Sequence, residues 1–307
     1  MRDAFSTTLV DLAKNDERVL LLTGDHGYAL FDEFRKQCPS QYINAGIAEQ
    51  NMVGMAAGLA RLGFRPFVYG LSAFVPVRVL EQIKLDVAHD DLPVVFLGDG
   101  AGFVYSHLGT SHQSTEDIAC TRTIPNMVVM SPCDRFEMAA CMRLAYESSK
   151  PVYLRMGKSD RGDVHAAPVT GLAVGDLVKV KSGANSGITL VATGSMVKTA
   201  LEVAADHDLS VWSVPSIKPI DEDTVVRIAK GAKGVVVLEE HSVYGGLGSC
   251  IAEITSERSP VKVLKVGVAD RFSEHCGTYD YLLEEHGIDA VTVKQKVNAF
   301  IHDLDAR

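Results

Sequence analysis

Ile43-Asn44-Ala45-Gly46-Ile47-Ala48-Glu49-Gln50-Asn51 runs on into Met52-Val53-Gly54-Met55-Ala56-Ala57-Gly58-Leu59-Ala60. The stretch sets a single acidic side chain, Glu49, near the start of a helix built almost wholly of small and apolar residues. Gly54, Ala56, Ala57 and Gly58 carry little bulk, so the spacing predicts a helix that packs closely against another backbone. A carboxylate at its head would be poorly solvated. Carboxyl groups taken out of water hold their protons more tightly, and such groups gather where protons are transferred. The competing reading is a solvated first-turn glutamate favoured by the helix dipole.

Around this helix, short apolar runs alternate with helical patterns, the signature of a parallel sheet covered on both faces. Residues 18–23, 93–97, 126–130 and 151–154 read as buried strands, 77–87 as a crossover helix with Leu80, Ile83 and Val87 on one face, and 137–146 as another helix. Between about Lys158 and Gly187 the pattern loosens into turn-rich sequence. Strands then resume at 188–192, 209–214, 234–239 and 261–266, with helices near 196–205 and 292–304. The fold class is α/β: two doubly wound domains, expected at 1–165 and 185–307.

A chain of 307 residues with 47% hydrophobic and 22% charged content has enough apolar sequence for two such cores. A net charge of −9 argues against nucleic acid or an anionic membrane as partner. The six cysteines are scattered without a Cys-x-x-Cys pair, which suits reduced thiols in a cytoplasmic protein rather than a disulfide frame or zinc site. The N-terminus lacks the apolar core of a signal peptide, and no run approaches the length of a membrane span.

The Asn-Ala-Gly-Ile-Ala-Glu-Gln segment and its Ala/Gly-rich helix resemble the pyrimidine-binding domain of the transketolase family of thiamine-diphosphate enzymes, transketolase itself and deoxyxylulose-phosphate synthase above all. The resemblance implies that Glu49 hydrogen-bonds the cofactor's aminopyrimidine and so promotes loss of the thiazolium C2 proton. It places Tyr69-Gly70-Leu71-Ser72-Ala73-Phe74 at the family's aromatic cradle, with Phe74 as the stacking wall and Leu71 and Tyr69 beside it. Ser111-His112-Gln113 matches a Thr-His-Gln segment that turns His112 toward the substrate. Asp25 fits an aspartate near the cofactor, Arg155 an arginine that binds substrate phosphate, and Lys158 and Arg2 further basic contacts. The second half resembles the family's carboxyl-terminal domain at Leu238-Glu239-Glu240-His241 and Gly245-Gly246-Leu247-Gly248, where a packing or subunit-contact role is expected.

The chain also departs from the family. Gly100 stands where a histidine is usual, Leu108 where an aspartate reads sugar hydroxyls, and Ala29 near a phosphate-holding serine, while Tyr105 and His107 add bulk to the same loop. These losses point to a substrate read differently from an ordinary pentose phosphate. Gly98-Asp99-Gly100 followed by Asn126 resembles the superfamily's Mg²⁺-diphosphate motif, but the same segment aligns better with the pyrimidine domain, so no metal ligand is expected here. With no diphosphate-binding domain in these residues, the resemblance implies a split enzyme. This chain would be the smaller subunit of an α2β2 heterotetramer, and a separate subunit would hold Mg²⁺ and the diphosphate. The expected activity is transfer of a two-carbon ketol unit from a ketose or ketose phosphate to an aldehyde. The alternatives are the β chain of a 2-oxoacid dehydrogenase first component and a silent scaffold subunit.

Overall fold

The computed structural model describes residues 1–158 and 160–306, with Ser186 described by its backbone only. The chain opens with helix α1 (Arg2–Asn15), strand β1 (Val19–Thr23), α2 (Asp32–Gln37), β2 (Tyr42–Asn44), α3 (Glu49–Arg61) and β3 (Arg65–Leu71). The stretch expected as one helix over 77–87 is instead broken. A 3-10 turn (Val77–Val79), a single α turn α4 (Leu80–Gln82) and a π turn (Ile83–Ala88) follow one another. Then come β4 (Val95–Asp99), α5 (Asp117–Arg122), β5 (Val128–Met130), α6 (Arg135–Glu147) and β6 (Val152–Met156).

The second half holds β7 (Val178–Lys181), β8 (Asn185–Ala192), α7 (Met196–His207), β9 (Leu209–Ser213), β10 (Ser216–Lys218), α8 (Glu222–Lys230), β11 (Gly234–Ser242), α9 (Leu247–Arg258), β12 (Lys262–Val268), α10 (Tyr279–Glu285) and α11 (Ala290–Asp305). β7 lies on the second sheet, so that unit begins several residues before 185. Among the described residues no helix is long and apolar enough to cross a membrane.

The two sheets are ordered β10-β5-β6-β4-β3-β1-β2 and β12-β11-β8-β9-β7. All pairings are parallel except at two edges, β10 on β5 and β7 on β9. Strands buried on both faces need no alternation of polarity, and β1, β4 and β6 are buried at every position. Their two sides feed different cores. Leu20, Leu22, Val68, Phe96 and Tyr153 face α3 and the broken helix, while Val19, Leu21, Phe67, Leu97 and Leu154 face α1 and α6.

The first of these cores runs on into the second sheet through Val191, Val235 and Val237, so the domains share apolar packing. β10 adds a tie: it comes from the second half but pairs with β5 of the first sheet, Ser216 opposite Met130. The small residues of α3 divide between two environments. Ala56 and Ala57 pack into the core, whereas Gly54 and Gly58 are exposed, with open space where a side chain would stand. The close approach expected at those glycines is therefore not made within this chain.

Candidate active site

The loops at the carboxyl ends of β1, β2, β3 and β4 converge, as ligand-binding loops do in open α/β sheets. Gly46 closes the turn after β2 at φ +72° and brings Glu49 to the first position of α3. The N-cap is Ala48, which supplies no side-chain acceptor, so the Glu49 carboxylate is the anion nearest that helix terminus. Glu49 is only 6% exposed. Its Oε1 accepts a 3.0 Å hydrogen bond from Arg78 Nη1, and the Arg78 guanidinium lies 4.0 Å from the centre of the Phe74 ring. Phe74 in turn meets His112 edge-on at 5.4 Å and His26 at 6.2 Å. Thus Glu49, Phe74 and His112, which lie far apart in sequence, share one half-buried rim.

Two members of this group were not foreseen. Arg78 sits in the 3-10 turn that follows Phe74, its N–H donating to the Phe74 carbonyl. The Phe-x-x-x-Arg spacing was a readable sign that the two side chains share a face. His26 had no comparable signal. Its Nε2 is buried without a hydrogen-bond partner, an orphan that calls for a ligand or water.

Asp25 stands beside the rim at φ +63°, accepting from Tyr28 Oη at 3.0 Å and facing Asn44 Nδ2 at 3.4 Å. Leu71 ends β3, half-buried, and its carbonyl receives the N–H groups of Phe74 and Val75, which folds the loop back. Tyr69 does not line the cradle. It is 1% exposed, packed against Phe5 and Phe31 on the opposite side of the sheet, with its hydroxyl on Asp99 Oδ2 at 2.6 Å.

Asp99 anchors a second polar group at the end of β4. It also accepts from Tyr105 Oη at 3.2 Å and pairs with Arg2 at 3.6 Å. Burial, with Asp99 next in effect, pushes the Tyr69 and Tyr105 hydroxyls well above their usual pKa, so both act as donors. Gly100 sits at φ +80°, and a Cβ there would stand 2.0 Å from the Tyr105 ring. The residue lacks a side chain because Tyr105 fills that space. Asn126 donates to the Ala88 carbonyl. The register through β6 places it at the opposite end of the sheet from Asp99, about 20 Å away, too far for one metal ion.

The basic residues separate sharply. Arg2 keeps 46% of its side chain exposed beside Asp99. Lys158 pairs with Asp160 at 3.0 Å and lies 5.4 Å from the Tyr279 ring. Arg155 does not meet the expectation of a phosphate contact. It is 2% exposed, with Nε on Asp117 Oδ2 at 2.7 Å and Nη2 on the Glu240 carbonyl at 2.8 Å. Burial opposes its charge, but the Asp117 carboxylate outweighs that, and the guanidinium holds its proton more tightly than usual. Enclosed between the domains, it faces no space that a phosphate could enter.

The carboxyl-terminal motif belongs to the same seam. Glu239 accepts from the N–H groups of Leu247 and Gly248 at the start of α9, while burial raises its pKa to about 7. His241 Nδ1 donates to the Ser242 carbonyl and its Nε2 accepts from the Ala119 N–H. Burial lowers its pKa, so the ring is neutral. The turn works in packing and domain contact.

Residues 1–162 match the family model described as the pyrimidine binding domain of transketolase, and 177–293 the one described as the C-terminal domain of transketolase. The chain is 33% identical to one of the subunits of the apulose-4-phosphate transketolase of Phocaeicola vulgatus, over 94% of this chain and 93% of that one. It is 34% identical to the 6-deoxy-6-sulfo-D-fructose transketolase subunit SqwH of a Clostridium species, over 100% and 95%. A solved structure described as a split gene transketolase, inactive beta4 tetramer, superposes with a TM-score of 0.88 at 36% identity, over 98% of this chain and 97% of that one.

Proposed function

This chain belongs to the transketolase family, and on that premise we propose that it is the pyrimidine-binding subunit of a split enzyme that moves a two-carbon ketol unit from a ketose to an aldehyde. The observation that carries the reading is the rim on which Glu49, Phe74 and His112 meet at the carboxyl ends of the first sheet's strands. This rim fits the aminopyrimidine of thiamine diphosphate. Phe74 offers a ring face, Glu49 a buried carboxylate at a helix start, and His26 an orphaned ring nitrogen. When bound, that cofactor supplies the carbon centre that carries the two-carbon unit.

Within this assignment Glu49 holds a proton at the pyrimidine edge, Phe74 and Leu71 wall the ring, and Asp25 and Asn44 fix the loop beside it. Glu49 exchanges its bond from Arg78 for that contact, and Arg78, half-exposed, moves off the Phe74 face. His112 donates a proton to substrate oxygens. Arg2 and, farther off, Lys158 offer charge to an anionic substrate, while Mg²⁺ and the diphosphate fall to a separate subunit in an α2β2 assembly.

Exposed Tyr28, Ile47 and Leu108, together with the bare Gly54–Gly58 face of α3, support a partner over this rim. Relatives named for apulose 4-phosphate and for a sulfofructose support an anionic sugar other than a common pentose phosphate. The test is reconstitution with a diphosphate-binding subunit, followed by proton exchange at the cofactor's C2 and by ketol transfer. Glu49→Gln should slow exchange by roughly 100-fold or more while assembly persists. Full exchange in that variant, or ketol transfer by this chain without a partner, would refute the proposal.

A further inference from the structure

Away from the rim, among the described residues one group of cysteine, histidine and acidic side chains gathers three ligand atoms within 4.8 Å of one another: Cys133, Glu137 and His165. Glu137 lies in the first turn of α6 and Cys133 just before its N-cap, Asp134, where the Cys133 N–H folds back onto the Glu137 carboxylate. His165 arrives from the connector between the two sheets. Its Nε2 is 2.9 Å from Glu137 Oε1, while Glu137 Oε2 accepts from the Cys133 N–H at 2.8 Å. Glu137 is fully buried and Cys133 only 6% exposed. Ser213, at the end of β9, sets its fully buried Oγ near the thiol. Three separate segments thus converge on one small polar site.

The backbones that carry Glu137 and His165 are held in place independently of the ligands. Asp134 Oδ1 caps α6 through the N–H groups of Phe136 and Glu137. Asp134 Oδ2 accepts from the N–H groups of Val164 and His165 at 3.0 and 2.8 Å. One carboxylate therefore fixes both the helix start and the connector loop. Fixed ligands of mixed type are what a metal site needs, and thiolate, imidazole and carboxylate together suit Zn²⁺ in a tetrahedron.

We infer that Cys133, Glu137 and His165 bind a thiophilic divalent cation, Zn²⁺ foremost, which fastens the connector to the first domain. The thiolate and carboxylate charges balance the ion, so the buried unit is neutral and avoids the cost of an unpaired charge. On binding, the Cys133 thiol loses its proton to solvent. His165 ligates through Nε2 with its proton on Nδ1, the hydrogen bond to Glu137 gives way to the shared ion, and water takes the fourth position. The sequence hid this site because its ligands follow no Cys-x-x-Cys spacing, and His165 stands 28 residues beyond Glu137.

The full chain, stripped with a chelator and dialysed against Zn²⁺, should retain about one equivalent. Replacement by Co²⁺ should produce a thiolate-to-metal charge-transfer band with tetrahedral d–d bands, and Zn²⁺ should raise the unfolding temperature. Cys133→Ser should abolish the charge-transfer band. His165→Gln is the safer variant, since Asp134 still holds the loop backbone, and it should weaken Zn²⁺ binding roughly 100-fold. Its far-ultraviolet circular dichroism confirms the fold if Cys133→Ser fails to express. No metal retained by the wild type, or retention and band intensity unchanged in His165→Gln, would overturn the inference.

Discussion

Replacing Arg155 by Met tests whether that residue works in the seam or on the substrate. Met keeps much of the apolar stem and removes every donor. Asp117, fully buried, would then keep only the Tyr153 hydroxyl on Oδ2, while its Oδ1 already lacks a partner. The Glu240 carbonyl would also lose its 2.8 Å donor. Breaking a buried ion pair from one side costs about 3–5 kcal/mol, because the remaining charge is stranded. Removing both sides costs less, so Arg155→Met combined with Asp117→Asn should recover a large part of the loss. The difference between single and double variants measures the coupling. Urea unfolding gives two readouts. Far-ultraviolet circular dichroism follows the whole chain, and the single tryptophan, Trp212 on β9, follows the second sheet. Since Arg155 reaches β11 through the Glu240 carbonyl, both signals should shift. If Arg155→Met instead changed stability by less than about 0.5 kcal/mol while raising the substrate KM tenfold or more, Arg155 would be a ligand and the structural account wrong.

Gly100→Ala should destabilise the fold by roughly 1–3 kcal/mol, combining a positive φ with a clash against Tyr105; thermal unfolding checks it, and a neutral result would mean that Tyr105 is free to leave. Glu239 has its folded pKa raised from 4.5 to about 7. Its contribution to stability is therefore complete below pH 4.5 and is lost as pH rises through 7, because the unfolded chain releases the proton first. Glu239→Gln should flatten stability over that window, and denaturation from about pH 5 to 8 would disprove the assignment if the wild-type slope survived. Arg2→Ala in the reconstituted enzyme should raise KM for an anionic ketose roughly 10- to 100-fold with little change in kcat, the worth of one charge-assisted contact. An unchanged KM would remove Arg2 from the site.

The parts readable in sequence were those set by local pattern. The strands at 19–23 and 188–192 stand in apolar runs, and Glu49 is the one charge at the head of an apolar helix. Phe74 and His112 were placed by their motifs, and the structure brings their rings together although they stand far apart in the chain. Arg155 was misjudged because its position at a strand end is visible in one dimension, whereas its partners are not. Asp117 lies 38 residues before it and Glu240 85 residues after. Tyr69 failed for a related reason. Alternation along β3 turns it and Phe67 to the α1 side while Val68 faces α3, and the motif alone did not say which side carried the rim. The break in the helix after Pro76 left no mark in its apolar spacing.

The short strand β10 has a consequence for how this chain can be divided. Although the connector at 157–177 looks like a place to cut, the first sheet takes its last strand from beyond it. A fragment ending in the connector would bare the edge of β5, offering unpaired N–H and carbonyl groups and the buried Val129 and Met130 to the nearest extended chain. The reciprocal fragment would carry a stray strand with no sheet of its own to join. The visible linker and the true seam are thus different places, and the exchanged strand ties the two sheets together, so that the first half does not carry its complete sheet by itself.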